Sequence, residues 1–265
     1  MLQLKTGKML ARVEGGIGWV TFNQPERRNA VSLEMWQALG EIMEAFEADD
    51  AVRVVVLTGA GGKAFVSGAD ISEFETQRAN NEQRESYGQV SGRGHAALGR
   101  CSKPVIAMIR GYCIGGGLVI ALAADLRFAT PGSKFGVPAA KLGLGYDYPG
   151  VAALARLVGP ARAADILYSA RHLPADEALR HGLIDFVVED AELESAVTEY
   201  AQSVSRNAPL TLRAVKASLK AYARYTQRSD LDAVEALVKQ CYDSEDYGEG
   251  RRAFMEKRAP NFRGR

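Results

Sequence analysis

The chain has 265 residues, 47% of them hydrophobic and 25% charged, enough to bury a sizeable core in one large domain or one domain with an appendage. Its 33 basic and 32 acidic side chains leave a net charge of +1, so nothing electrostatic points to nucleic acid or to a membrane surface as partner. No apolar run is long enough to span a bilayer, and the N-terminus has neither a signal-type apolar core nor an Arg/Ser-rich transit region, so a cytoplasmic setting is expected.

Met9–Val13 and Gly18–Phe22, on either side of Gly15-Gly16, read as a β-hairpin. A helix is expected over 32–48, with Ser32 as its N-cap. Strand signals recur at about 19–23, 53–58, 104–109 and 125–129, and helical segments at roughly 82–101 and 116–124 lie between them. This alternation suggests βαβ units. The stretch from Ser72 to Gly92 is polar and dense in charge, which reads as a solvated face or a loop. From Pro160 onward helices dominate. Pro174–Ala178 starts one, Gly182–Val188 is a short strand, and 191–206, 209–225, 230–243 and 248–258 have helical apolar spacing. Cys101, Cys113 and Cys241 have no metal or disulfide spacing, which suits idle thiols in a reducing compartment, and no metal site is expected.

Two stretches carry chemistry. In Gly111-Tyr112-Cys113-Ile114-Gly115-Gly116-Gly117, followed by the apolar run Leu118–Ala124, a triple glycine heads a buried helix. The first N–H groups of a helix have no internal partner and lie at the positive end of its dipole, so this is a device for holding an anion on backbone donors. No Lys-Ser or Lys-Thr follows, and the spacing is not Gly-x-Gly-x-x-Gly, so neither a P-loop nor a dinucleotide site is indicated. The second stretch is Lys63-Ala64-Phe65-Val66-Ser67-Gly68-Ala69-Asp70-Ile71, directly after the strand Arg53–Gly59. Asp70 taken alone reads as a cap or turn residue.

With Asn23-Gln24-Pro25-Glu26-Arg27-Arg28-Asn29-Ala30 ahead of them, these motifs resemble, in order and spacing, the crotonase superfamily, also called the enoyl-CoA hydratase/isomerase family. Phe135-Gly136, Leu142-Gly143 and Ala253–Arg258 extend the resemblance over essentially the whole chain. It implies an α/β fold: a crotonase (ClpP-like) spiral of repeated ββα units over 1–200 carrying a CoA site, and a C-terminal helical oligomerisation region over 201–265 that builds a homotrimer or a dimer of trimers. It implies an acyl-CoA substrate and no separate cofactor, coenzyme A being part of the substrate. It assigns the thioester oxygen to the N–H groups of Ala69 and Gly116, and CoA contacts to Arg27, Arg28, Ala64, Phe65, Ala69, Ile71 and Lys257, the last often reaching a phosphate in a neighbouring subunit. The family's lysine or arginine two residues after Asp70 is replaced by Ser72.

The resemblance fails at one important point. A family hydratase has one glutamate where this chain has Val119 and a second where it has Ala139. Hydration needs a base to activate water and an acid to protonate carbon, and neither side chain can do either. Asp147, eight residues past the second position, matches an aspartate that moves a proton in the dienoyl-CoA isomerase branch and is a nucleophile in the chlorobenzoyl-CoA dehalogenase branch. Tyr146 matches a tyrosine near the substrate carboxylate of the methylmalonyl-CoA decarboxylase branch. The dehalogenase's tryptophan and histidine fall on Ala139 and Gly92, against dehalogenation. His95, on the helix that lines the family's acyl pocket, is a further candidate proton carrier. The expectation is an isomerase- or lyase-type enzyme with proton transfer centred on Asp147. A decarboxylase or thioester/C–C hydrolase and a catalytically silent acyl-CoA binder stand as alternatives.

Overall fold

The computed structural model describes residues 4–70, 81–142, 148–223 and 243–265, with isolated positions between 223 and 243. Strands β1 (Met9–Glu14) and β2 (Ile17–Phe22) form the expected hairpin, in register from Met9 opposite Phe22 to Glu14 opposite Ile17. Helix α1 (Leu33–Ala48) starts at Ser32, whose hydroxyl accepts a hydrogen bond from the Met35 N–H at 3.4 Å. Its Met35, Leu39, Ile42, Met43 and Phe46 fall on one face at helical spacing and are buried.

Beyond α1 the chain repeats one pattern. Strand β3 (Val54–Gly59) is followed by the short β4 (Ala64–Val66) and then helix α2 (Asn81–Arg100). Strand β5 (Val105–Ile109) is followed by β6 (Tyr112–Ile114) and α3 (Gly116–Ala123). Strand β7 (Leu126–Ala129) is followed by β8 (Lys134–Gly136), a 3-10 turn (Pro138–Leu142) and α4 (Tyr148–Val158). The first strand of each unit adds to one sheet and the second to another. β3, β5 and β7 lie side by side in parallel, as do β4, β6 and β8. This is a spiral of ββα turns, an α/β fold as expected.

The large sheet has the order β1-β2-β3-β5-β7-β10, with β10 (Phe186–Val187) at its far edge. Both its faces are covered. Val55, Leu57, Val105, Ala107 and Ile109 join the main core with α1, whereas Val54, Val56, Ile106 and Met108 pack under α7 (Leu193–Ser205). Two-sided burial is why these strands read as unbroken apolar runs rather than alternating ones. The small sheet ends in β9 (Leu173–Pro174), antiparallel to β8. Between α4 and β9 lies α5 (Pro160–Ser169), and α6 (Ala175–Arg180) follows. Cys101 and Cys113 are buried free thiols, and burial pushes both thiol pKa values up, in keeping with idle cysteines.

Helix α8 (Pro209–Ala223) is fastened by charge. Lys216, buried, donates to the Asp125 carboxylate and the Lys103 carbonyl, both at 2.7 Å, and Lys220 donates to the carbonyls of Gly99 and Cys101 where α2 ends. Ammonium groups are favoured at the negative end of a helix. Helix α9 (Glu245–Glu256) follows, and 230–243 falls largely outside the described residues. The helix expected at roughly 82–101 is α2, so the polar stretch 72–92 is helical from Asn81 onward, and 72–80 lies outside the described residues. No helix among the described residues is long and apolar enough to cross a membrane.

The C-terminus of α3 is closed by Arg127, which is 3% exposed. Its Nη1 donates to the carbonyls of Ala124 (2.8 Å) and Ala121 (3.4 Å), and its Nη2 donates to Asp185 at 2.8 Å. Burial presses the guanidinium pKa down, and the Asp185 and Asp125 carboxylates work against that shift. Removing one partner of a buried pair leaves the other charge uncompensated. Asp185→Ala is therefore expected to lower the unfolding free energy by about 3–5 kcal/mol, read from urea denaturation.

Candidate active site

Three segments meet where the two sheets turn into α3. The first is Gly115-Gly116-Gly117. Gly115 has φ 54° and ψ −115°, a conformation closed to residues with a Cβ, and its N–H donates to the Gly136 carbonyl at 2.8 Å. The Val119 N–H reaches back to the Gly115 carbonyl at 3.1 Å and closes the first helical turn. The N–H groups of Gly116, Gly117 and Leu118 are then the ones with no intrahelical acceptor.

The second segment is Gly68-Ala69-Asp70. Val31 forms a parallel bridge with Ala69: its N–H donates to the Gly68 carbonyl at 2.8 Å, and its carbonyl accepts from the Asp70 N–H at 3.0 Å. In a trans peptide the C=O and N–H point in opposite directions. The Gly68 carbonyl faces Val31, so the N–H of Ala69, in the same peptide, faces away from it. Gly116 lies close by. A methyl group on Gly116 would stand 3.7 Å from the Ala69 nitrogen, in ordinary contact. A methyl on Gly117 would stand 2.1 Å from the Val66 carbonyl oxygen, a clash with backbone. The glycines thus let α3 approach β4 closely and bring two backbone donors from successive turns of the spiral together.

The third segment is the loop after the hairpin. It makes a 3-10 turn (Pro25–Arg27) and passes through Arg28 and Asn29, both at positive φ. Asn29 is wholly buried. Its amide donates to the carbonyls of Ala60 (2.9 Å) and Ala64 (2.8 Å), and its oxygen accepts from the Gln24 N–H. Asp70 is buried, and its carboxylate accepts from Arg27 Nη1 at 3.1 and 2.9 Å and from Gln24 Nε2 at 3.3 Å. Asp70 is therefore a cross-link between two loops 43 residues apart, which the sequence did not suggest. Its partners are too distant along the chain for any local pattern to show.

The other sequence candidates fall as follows. Arg28 is exposed, with its guanidinium 5.2 Å from the Tyr112 ring centre. Phe65 is fully buried and packs edge-on against Phe22, and Ala64 is buried beside it, so both side chains belong to the core. Lys257 is exposed just beyond α9, and no hydrogen bond or ion pair joins it to the loops above. Val119 is half-buried on α3, and Ala139, on the 3-10 turn after β8, packs against the main core. His95 on α2 has a buried Nδ1 without a hydrogen-bond partner among the described residues, and burial holds its pKa below the usual histidine value. Ile71, Tyr146 and Asp147 lie outside the described residues. No cluster of metal-ligating side chains occurs among the described residues.

A ββα spiral that sets a helix N-terminus beside a second free backbone N–H defines a protein of the crotonase fold. The comparisons narrow this. Residues 12–265 match the family described as Enoyl-CoA hydratase/isomerase, and the chain belongs to it. It is 36% identical over 259 residues to the short-chain-enoyl-CoA hydratase of Clostridium acetobutylicum, across 96% of this chain and 97% of that one. It is 34% identical over 244 residues to the crotonyl-CoA hydratase of Syntrophomonas wolfei, across 91% and 92% of the two chains. The crystal structure of an enoyl-CoA hydratase/carnithine racemase from Magnetospirillum magneticum has a TM-score of 0.93 to it at 40% identity, covering 98% of this chain and 97% of that chain.

The two neighbouring glycines should separate in a melting experiment. Gly117→Ala must push a methyl into the Val66 carbonyl and is expected to cost at least about 1–3 kcal/mol, as overpacking does. Gly116→Ala, with room for its methyl, should melt with the parent.

Proposed function

We propose that this chain is an enzyme acting on an acyl-CoA thioester, whose carbonyl oxygen sits between the N–H groups of Ala69 and Gly116 and takes up negative charge there as an enolate forms. The observation that carries this reading is the nearness of the two backbone segments, such that a methyl group on Gly116 would stand 3.7 Å from the Ala69 nitrogen, with both N–H groups left over by the backbone pairing among the described residues. Fixed donors of this kind stabilise developing charge without reorganising, and loss of one typically costs about 10²–10³ in rate. The names of the relatives, hydratases of CoA thioesters, support the substrate class.

The reaction differs from theirs on this reading. Val119 and Ala139 offer no carboxylate, so hydration by an acid and base at those positions is not this chain's chemistry. Proton transfer falls to Asp147, with Tyr146 beside it, and one carboxylate shifts a double bond by taking a proton at one carbon and returning it at another. Arg28 and Lys257 are the cations offered to the phosphates of coenzyme A, Lys257 across a subunit boundary.

A panel of enoyl-, dienoyl-, malonyl-type and β-keto-acyl-CoA thioesters followed by mass spectrometry tests this. Crotonyl-CoA hydration should run orders of magnitude below that of a two-glutamate relative, and one class of thioester should be isomerised or cleaved. Gly116→Pro, which removes one of the two N–H donors at a first helical position where proline is tolerated, should lose about 10²-fold or more in turnover of that thioester. Ordinary hydratase rates, or an undiminished Gly116→Pro variant, would overturn the assignment.

Asp147→Asn addresses the proton carrier. As a general base Asp147 is irreplaceable by an amide, so turnover should fall by about 10²–10⁴ with an unchanged melting curve. Undiminished turnover would return Asp147 to a turn or cap role, and a covalent adduct visible as a mass shift would make it a nucleophile.

A further inference from the structure

We propose that Asp70 is a positioning residue for the backbone anion hole: held by Arg27 and Gln24, its carboxylate fixes the segment that aims the Ala69 N–H. The inference rests on the reading of Ala69 and Gly116 as that hole.

The argument starts from what fixes a backbone donor. A side-chain donor can be re-aimed by a rotamer change, but a backbone N–H points where its peptide plane points. The plane of the 68–69 peptide is set on one side by Val31, which takes the Gly68 carbonyl at 2.8 Å and the Asp70 N–H at 3.0 Å. That bridge is a single residue pair, and one further backbone bond, from the Ser67 N–H to the Arg28 carbonyl at 3.1 Å, joins the same two segments ahead of it. The Asp70 side chain supplies a constraint on the far side, because its carboxylate is anchored to the same loop that contributes Val31. Arg27 donates through one nitrogen to both carboxylate oxygens and Gln24 donates to one of them. The Asp70 side chain is 7% exposed and that of Arg27 is 52% exposed, so the tie sits at the wall of the site with its acidic end inside. Charge-assisted hydrogen bonds to a buried carboxylate are stronger than neutral ones.

The neighbouring arginine is placed differently. Arg28 lies against the Tyr112 ring, is exposed, and is paired with no carboxylate among the described residues. The two adjacent arginines therefore divide the work. Arg27 holds the hole through Asp70, and Arg28 is the cation presented to an incoming phosphate.

The test uses a chromophoric thioester, a para-dialkylaminocinnamoyl-CoA, whose absorption moves to the red when its thioester oxygen accepts hydrogen bonds. Affinity and red shift are then separate readouts, and neither needs turnover. The wild-type chain should bind the probe with a red shift. Asp70→Asn and Arg27→Gln should bind near the wild-type affinity but lose much of the shift at saturation. Their kcat on the thioester found by the panel should fall roughly 10- to 100-fold, the scale of an ångström-sized misplacement, with little change in KM. The double variant should lose no more than either single one, as expected for residues acting as a unit. Arg28→Gln should show the reverse, weaker binding with the full shift at saturation. Should Asp70→Asn melt early, Arg27→Gln, made at a half-exposed side chain, carries the test. A full red shift in both single variants, with the wild type shifting normally, would overturn the positioning role and leave the hole intact. A wild-type chain that binds the probe without any shift would overturn the hole, and the inference with it.

Discussion

The close approach of α3 to the strand ahead of Ala69 is the contact on which the rest of the structure depends. A site built from side chains tolerates some slack, since rotamers can compensate. A site built from two peptide groups does not. Its donors are only as well placed as the two backbone segments that carry them, and here those segments belong to successive turns of a spiral. The parallel pairing of β4 with β6 brings the turns alongside each other. The absence of a Cβ at Gly117, where one would meet the Val66 carbonyl, lets the helix start close enough. The Arg127 guanidinium on the carbonyls of Ala121 and Ala124 then holds the far end of the same short helix.

Much of the buried polar inventory serves the same registration. Gln24, Asn29, Asp70 and Arg127 are all buried, and all of them bridge segments distant in sequence. Burying such groups is unfavourable unless each finds partners, and when they do the arrangement is specified more sharply than apolar packing alone would achieve. Asn29 shows the logic. Its amide donors go to the Ala60 and Ala64 carbonyls on either side of the turn between β3 and β4, so a single side chain sets where β4 begins.

The sequence made the long, periodic elements legible and concealed the short ones. The hairpin, α1 with its Ser32 cap, the strands of the large sheet and helices α7 and α8 all carry a period of two or three and a half, or a buried run. The small sheet does not. Its strands are two or three residues long, too short for a period, and they exist because the spiral lays them beside one another. Helix α2 was legible over nearly its whole length, although its N-terminal half is charged and a pattern of solvated residues is common to loops and exposed helices. Of the candidate site, the glycine turn and Gly68-Ala69 could be picked out because glycines at those places let two backbone segments come close. The Arg27–Asp70 tie was not, since an aspartate two residues past a glycine looks the same whether it caps a turn or meets an arginine from another loop.

On the proposed reading, this construction separates the part of the site that holds charge from the part that moves protons. The donors are main-chain groups, so the hole is indifferent to which side chains line the acyl space around it. Val119 projects from α3 only three residues past Gly116, and Ala139 stands on a 3-10 turn packed against the core. Neither side chain makes a hydrogen bond on which the placement of Gly116 or Ala69 depends. A carboxylate at either place can therefore be exchanged for an alkyl group while the scaffold of the hole stays as it is. On the proposed reading this is why overall likeness to hydratases, even at a TM-score of 0.93, fixes the scaffold and the thioester site but leaves the reaction open to a proton carrier elsewhere. The side chains that cannot be exchanged so freely are the ones that register the two loops, Asn29 and the Arg27–Asp70 pair.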